Sequence, residues 1–77
     1  MHITYSKRAA KAISKINNPF KRNIKEAIEK LPSGDMKKLR GYQNTYRLRI
    51  GNYRILFGIG EMIEIIDVLP REAAYKN

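Results

Sequence analysis

The 77-residue sequence has no cysteine and a single histidine, His2. Without cysteine there are no disulfides and no thiolate zinc sites. A His-based metal centre or a Ser-His-Asp triad would have to rest on a residue beside the N-terminus, which reads instead as an exposed strand position. No metal and no cofactor are expected. Long apolar runs are also missing. The longest are strand-sized, well short of the ~20 residues of a membrane span, and the first residues lack the apolar segment of a signal peptide. A soluble, cytoplasmic protein is the expectation. Length excludes more: a chain this short buries only about 60% of its unfolded surface, so it holds one small domain, residues 1–77. A two-domain enzyme, a TIM barrel or a dinucleotide-binding fold does not fit.

Acidic side chains are scarce as well. Seven Asp and Glu face sixteen Lys and Arg, a formal net charge of +9. A surplus of that size points to a polyanionic partner, nucleic acid or an acidic protein. It is unevenly spread. Residues 1–40 carry eleven basic and three acidic side chains, and residues 41–77 carry five and four.

The hydrophobic pattern predicts a strand, two helices and three further strands, an α+β domain. Ile3 and Tyr5 alternate with His2 and Thr4, a short strand. Ala9, Ile13 and Ile16 then recur at helical spacing, with Lys7, Lys11 and Lys15 on another face. That lysine stripe reads either as a solvated face or as a generic attractor of phosphate. Asn18-Pro19 predicts a helix start, with Asn18 as N-cap and proline at the first helical position. Phe20, Ile24, Ala27, Ile28 and Leu31 form the second helix's apolar face, and Pro32-Ser33-Gly34 ends it. The two helices should form an antiparallel hairpin packed on the sheet. Lys37, Lys38 and Arg40 read as part of a loop before that sheet. Tyr46–Ile50 alternates strictly, Gly51-Asn52 supplies a two-residue turn, and Tyr53–Phe57 returns. Gly60-Glu61 is a second candidate turn into a strand over 62–69, which Pro70 stops.

The two-residue turn sets Ile50 against Tyr53, Arg49 against Arg54 and Leu48 against Ile55. Alternation then puts Tyr46, Leu48, Ile50, Tyr53, Ile55 and Phe57 on one face, toward the helices, and Arg47, Arg49 and Arg54 on the other. Like charges directly across a ladder repel, and an anion held between two guanidinium forks turns that repulsion into a clamp. The alternatives are arginines splayed into water, or Arg54 paired with Asp67 if Gly60-Glu61 is also a two-residue turn.

Lys38-Leu39-Arg40-Gly41, Tyr46-Arg47-Leu48-Arg49, Tyr53-Arg54-Ile55-Leu56-Phe57, and Ile65-Ile66-Asp67-Val68-Leu69-Pro70-Arg71 with Tyr75 beyond it together resemble the core of the RelE/ParE superfamily of type II toxin–antitoxin toxins. The resemblance covers nearly the whole chain and is closest to RelE-like members. It implies an endoribonuclease that cuts mRNA in the ribosomal A site and so inhibits translation. It implies a metal-independent attack of the RNA 2′-hydroxyl on the adjacent phosphate, leaving a 2′,3′-cyclic phosphate. It also implies a cognate acidic antitoxin as partner, in a hetero-oligomer. By the same resemblance Arg54 stabilises the phosphate, Arg71 serves the leaving group or adds charge stabilisation, and Tyr75 stacks on a base or orients the nucleophile. Arg47 and Arg49 stand where RelE has basic residues, and with Lys37, Lys38 and Arg40 they complete the RNA-binding set.

Arginine cannot be deprotonated, so no general base is evident among these residues. The His and Glu of another branch of the superfamily have no counterpart. Lys37, Lys38, Tyr75, or no dedicated base at all are the candidates. Two further readings remain: a ParE-like inhibitor of DNA gyrase, and a non-catalytic member that binds only antitoxin or RNA.

Overall fold

In the computed structural model, which describes residues 2–71, the chain forms five strands and two helices. These are β1 (Ile3–Tyr5), α1 (Lys7–Ser14), α2 (Phe20–Glu29), β2 (Met36–Lys38), β3 (Thr45–Ile50), β4 (Tyr53–Ile59) and β5 (Ile63–Pro70). The strands make one mixed sheet in the order β1-β5-β4-β3-β2. The α+β class and the β3-β4-β5 meander are as the pattern predicts, and the meander is extended at both edges. β1 joins β5 in parallel, Thr4 against Glu64. β2 pairs with β3, Lys37 against Arg47 and Lys38 against Tyr46.

β2 replaces part of the predicted loop. Three residues with one apolar side chain, Met36, carry too little alternation to be read as a strand. What builds it is the turn before it. Gly34 sits at φ +115, and a Cβ there would come within 3.0 Å of Leu48 Cδ1. Only glycine takes that conformation without strain. The Arg49 N–H then reaches the Asp35 carbonyl at 3.0 Å, and the Leu39 N–H reaches the Thr45 carbonyl at 2.9 Å.

Both helices bury the residues that the periodicity selects. Ala9 and Ile13 of α1 and Ile24 and Ile28 of α2 pack with Leu48, Ile55, Phe57, Ile63, Ile65 and Val68 in one apolar core. Each large aliphatic side chain taken fully from water there is worth about 1.5–3 kcal/mol. Tyr46 stacks on Phe57 at 5.7 Å between ring centroids on the same face. Phe20 departs from the expected pattern: it is exposed. The helix begins one residue later than the sequence predicts, with Pro19 in the capping position and no side-chain cap. Backbone carbonyls serve instead, Asn17 accepting from the Lys21 N–H at 3.1 Å and Pro19 from the Asn23 N–H at 3.0 Å. Among the described residues no helix is long and apolar enough to cross a membrane.

The β4–β5 register corrects another expectation. The turn after β4 spans three residues, since Ile59 faces Ile63, and a bulge at Ile66 adds one more residue before Asp67 faces Leu56. Arg54 therefore faces Leu69 rather than Asp67. The bulge is held by Ser6. Its N–H donates to the Ile65 carbonyl at 2.9 Å, and its hydroxyl donates to the Ile66 carbonyl at 2.6 Å. The same hydroxyl caps α1, accepting from the Ala9 N–H at 3.0 Å. Replacing Ser6 with alanine removes a helix cap and an inter-element bond together, at an expected cost of about 1–2 kcal/mol. Thermal unfolding followed by circular dichroism should show a midpoint lower by roughly 4–8 °C per kcal/mol in a domain of this size. An unchanged midpoint would show that the clamp contributes nothing.

Candidate functional site

The face of the sheet turned away from the helices carries most of the sheet's charge. One row runs from Lys37 through Arg47 and Leu56 to Asp67 on β2, β3, β4 and β5. The next row toward the Gly51-Asn52 turn runs from Arg49 through Arg54 to Leu69. Arg49 and Arg54 are direct partners, as the turn predicts. Direct partners on a ladder hold their Cβ atoms about 4.5–5.5 Å apart. Arg71 completes the group from beyond β5, where its N–H donates to the Asn52 carbonyl at 2.7 Å. That bond ties its backbone to the turn that leads into Arg54.

These arginines differ in environment. Arg49 is exposed and Arg47 half-buried, but Arg54 has 0% of its surface accessible. It is engaged by its surroundings rather than free. The three share the face away from the helices, as the alternation predicts, but Arg54 lies beneath its surface, so the alternative of arginines splayed into water does not hold for it. Lys37 and Lys38, grouped by the sequence reading, point to opposite sides because successive strand residues alternate. Lys37 belongs with Arg47, whereas Lys38 is set against Tyr46, on the helix side. Arg40 lies in the exposed β2–β3 loop. That loop enters β3 at Thr45, four strand residues or about 13 Å from Arg49, so Arg40 does not join the cluster. Tyr75 lies outside the described residues.

Sequence reasoning passed over a groove between α1 and β5. It has a volume of about 1050 Å³, and Lys7, Lys11 and Lys15 line one side of it. Tyr53, Leu56 and Leu69 line it from the sheet, along with Asp67. Leu56 and Leu69 are also the neighbours of Arg54 across and along the arginine face, so the groove and the arginine rows adjoin. The lysine stripe is thus one wall of a depression that meets the candidate site. The signal available in the sequence was the placement of α1 directly after the edge strand β1. It identifies a wall only once β1 is known to pair with β5.

Arg54 and Asp67 are the two buried charged residues among those described. The Asp67 Oδ1 accepts the Val68 N–H at 2.8 Å. Its Oδ2 lies 3.9 Å from the Nε of Arg8, a side chain that is itself 79% exposed. That separation is an ion pair across solvent and not a hydrogen bond. Tyr5 is a different case. It faces Ile65 and so lies on the helix side, and its phenol is pushed above the ordinary value by burial and by the nearby Glu29 carboxylate. Both facts remove it from consideration as a base. Among the described residues no group of three His, Cys, Asp or Glu side chains converges on a common point.

The strand–helix–helix–meander order is the one the resemblance implies, and comparison with known proteins agrees. A family model described as the ParE toxin of type II toxin–antitoxin system, parDE, matches residues 3–75. Toxin RelE3 of Methanocaldococcus jannaschii is 32% identical over 97% of this chain and 96% of its own length. Among solved structures, the RelB-RelE antitoxin-toxin complex from Methanococcus jannaschii superposes with a TM-score of 0.81 at 31% identity, covering 94% of each chain. A mutant of E. coli toxin RelE in the free state gives 0.76 at 26% identity, over 95% of this chain and 85% of that one. The chain belongs to the RelE/ParE superfamily and is a toxin of the type II toxin–antitoxin class.

The contrast between Arg49 and Arg54 has a measurable consequence. Arg54→Ala removes a fully buried side chain and strands whatever engages it, at an expected cost of about 3 kcal/mol or more. Arg49→Ala, at an exposed position facing a like charge, should stay within about 0.5 kcal/mol of the parent or gain slightly. Urea unfolding of the two variants tests this. Equal effects would place Arg54 at the surface.

Proposed function

We propose that this toxin is an endoribonuclease that cleaves mRNA, on the ribosome, by attack of the RNA 2′-hydroxyl on the adjacent phosphate. The observation that supports the reading is the direct pairing of Arg49 with Arg54 on one sheet face, with the Arg71 backbone tied to the turn that leads into Arg54. Cleavage of this kind builds negative charge on the non-bridging phosphate oxygens, and preorganised cations stabilise it. Arg49, exposed on β3, is placed to meet the phosphate with its planar fork. Arg54 lies across from it beneath the surface. Its charge acts through a short path of low dielectric, where it counts for more than in water. Arg71, held by its backbone at the turn, supplies a third charge on the leaving-group side. Arg47 and Lys37 continue the track along the RNA backbone, contacts that position rather than specify. Tyr75, beyond the described residues, is proposed to stack on a base beside the cut.

Identity to RelE3 and to the RelB-RelE complex also supports an acidic antitoxin as partner, bound to a surface whose charge is strongly positive. In this reading the ribosome aligns the RNA, and the cytoplasm is the site of action.

The experiment is an assay in a bacterial translation extract. The purified toxin is expected to cut mRNA on ribosomes, leaving 2′,3′-cyclic phosphate ends. Arg49→Ala and Arg71→Ala should each slow cleavage by about 10²-fold, the scale of losing one stabilising group, with their folds intact. Because the matching family model is described as a ParE toxin, the same preparation should be tested against gyrase. Intact mRNA with inhibited supercoiling would replace the nuclease reading by that one. Inactivity in both assays would leave a binding protein.

A further inference from the structure

We infer that the groove between α1 and β5 holds single-stranded RNA, carrying the strand onward from the arginine face. The inference rests on RNA being this toxin's ligand, as read above. Proteins hold single strands with a cationic wall that tracks the backbone and an aromatic side chain on which a base stacks. The groove has both. Lys7, Lys11 and Lys15 line it from α1 and Tyr53 lines it from the sheet, around a volume of about 1050 Å³. The three lysines are exposed and Tyr53 is half-buried.

Its dimensions and its position fit that occupant. Side chains four residues apart on a helix share a face and stand about 6 Å apart along its axis. The lysine stripe therefore spans about 12 Å, and β5 from Asp67 to Pro70 spans about 10 Å. Successive lysines are spaced on the scale of one extended nucleotide, and an ammonium meets a phosphate without regard to the base. Leu56 and Leu69 give the groove an apolar floor for ribose and base. Leu69 also ends the row that runs through Arg49 and Arg54. Pro70, another lining residue, precedes Arg71, whose N–H is bonded at the Gly51-Asn52 turn. A strand that crosses Arg49 can thus enter the groove without leaving cationic surface.

The open edge of β5 favours a polyanion over a pairing peptide strand. β1 covers Ile63 to Ile65, so among the described residues Asp67 to Pro70 have no strand on that side. The Arg71 N–H turns toward Asn52, on the β4 side, and alternation then directs the backbone of Val68 and Pro70 to the open edge. The Val68 N–H is taken by the Asp67 Oδ1 at 2.8 Å, and proline has no N–H. A peptide strand finds no free donor there. Recognition falls to side chains, and those are mostly cationic. Asp67 is the one carboxylate among the lining residues, and Arg8 faces it at 3.9 Å.

The test uses the purified full-length toxin and a short single-stranded RNA with methylated 2′-hydroxyls, which binds but cannot be cut. Binding is followed by fluorescence anisotropy at several KCl concentrations. Replacing Lys7, Lys11 and Lys15 together by alanine should weaken it about tenfold or more at low salt. The slope of log affinity against log salt should fall by about 2, near 0.7 for each phosphate contact. Arg22→Ala, Lys25→Ala and Lys30→Ala together remove the same charge from exposed positions on α2 and its C-cap, and should leave the slope within about 0.5 of the parent. Tyr53→Leu keeps apolar bulk without the ring, and should weaken binding about fivefold or more at an unchanged slope. On ribosome-bound mRNA the α1 triple variant should raise KM and hold kcat within about threefold. Equal effects of the two triple variants overturn the inference, since charge anywhere would then serve. So does a Tyr53→Leu variant, folded by circular dichroism, that binds as tightly as the parent. An α1 triple variant that keeps RNA and loses the antitoxin assigns the groove to the protein partner and overturns it too. A parent that shows the expected slopes but leaves mRNA intact keeps the groove and loses the nuclease reading. A parent that cuts mRNA no better than every variant, with equal binding, keeps the nuclease reading and loses the groove.

Discussion

Ser6 is the point on which this small domain turns. It stands between β1 and α1 and makes three hydrogen bonds that serve three elements. Its N–H goes to Ile65, its hydroxyl donates to Ile66, and its oxygen accepts the Ala9 amide in the first turn of the helix. A single residue thereby ends the parallel pairing of β1, starts α1 and holds the bulge in β5. Everything toward the C-terminal end of β5 is displaced by that bulge. Because α1 leaves the sheet there, the helix runs alongside β5 instead of another strand, and the groove is the space between them.

The displacement decides which charges are neighbours. A three-residue turn adds one position to the β4–β5 register and the bulge adds another. Two such insertions together shift Arg54 from Asp67 to Leu69 without changing its face. A single one would have moved β5's inward residues outward. The result is a sheet face with Arg54 and Asp67 buried diagonally from each other and exposed cations around them. Burial strengthens the fields of those two charges, because the dielectric is low where water is excluded. A chain of 77 residues has little core to spare, so a buried arginine takes a large share of its interior. The engagement of Arg54 by its surroundings is the physical condition that allows it.

The +9 charge divides along the same lines. Lysines dominate the helices, where a flexible point charge attracts a polyanion from a distance. Arginines occupy the sheet, where a planar fork on a rigid strand can orient one phosphate. The two populations meet at Leu56 and Leu69, which belong to both the groove and the arginine face. Long-range attraction and local chemistry are thus placed side by side on one surface.

Much of this is legible in the order of the residues. The 3.6-residue period marks Ala9, Ile13, Ile24 and Ile28, and Gly51-Asn52 specifies the register that sets Arg49 against Arg54. Those are local properties, written within a few residues of where they act. The bulge is half-legible: in β5 the polar residues Glu64 and Asp67 recur at three rather than two, a break in alternation that a regular strand would not show. β2 is not legible, because three residues joined to the sheet by the Gly34 turn carry no pattern of their own. Nor is the burial of Arg54, since alternation states which face a residue occupies and not what covers it. Sequence alone determined the class of protein, through the resemblance of its motifs to a known family, and the helices' inward faces and the arginine-bearing strands, through short-range periodicity. Only the tertiary structure decided that β1 pairs with β5, that α1 walls a groove and that Arg54 and Asp67 share a buried face. Each of those depends on contacts between residues up to sixty positions apart, which no local pattern encodes.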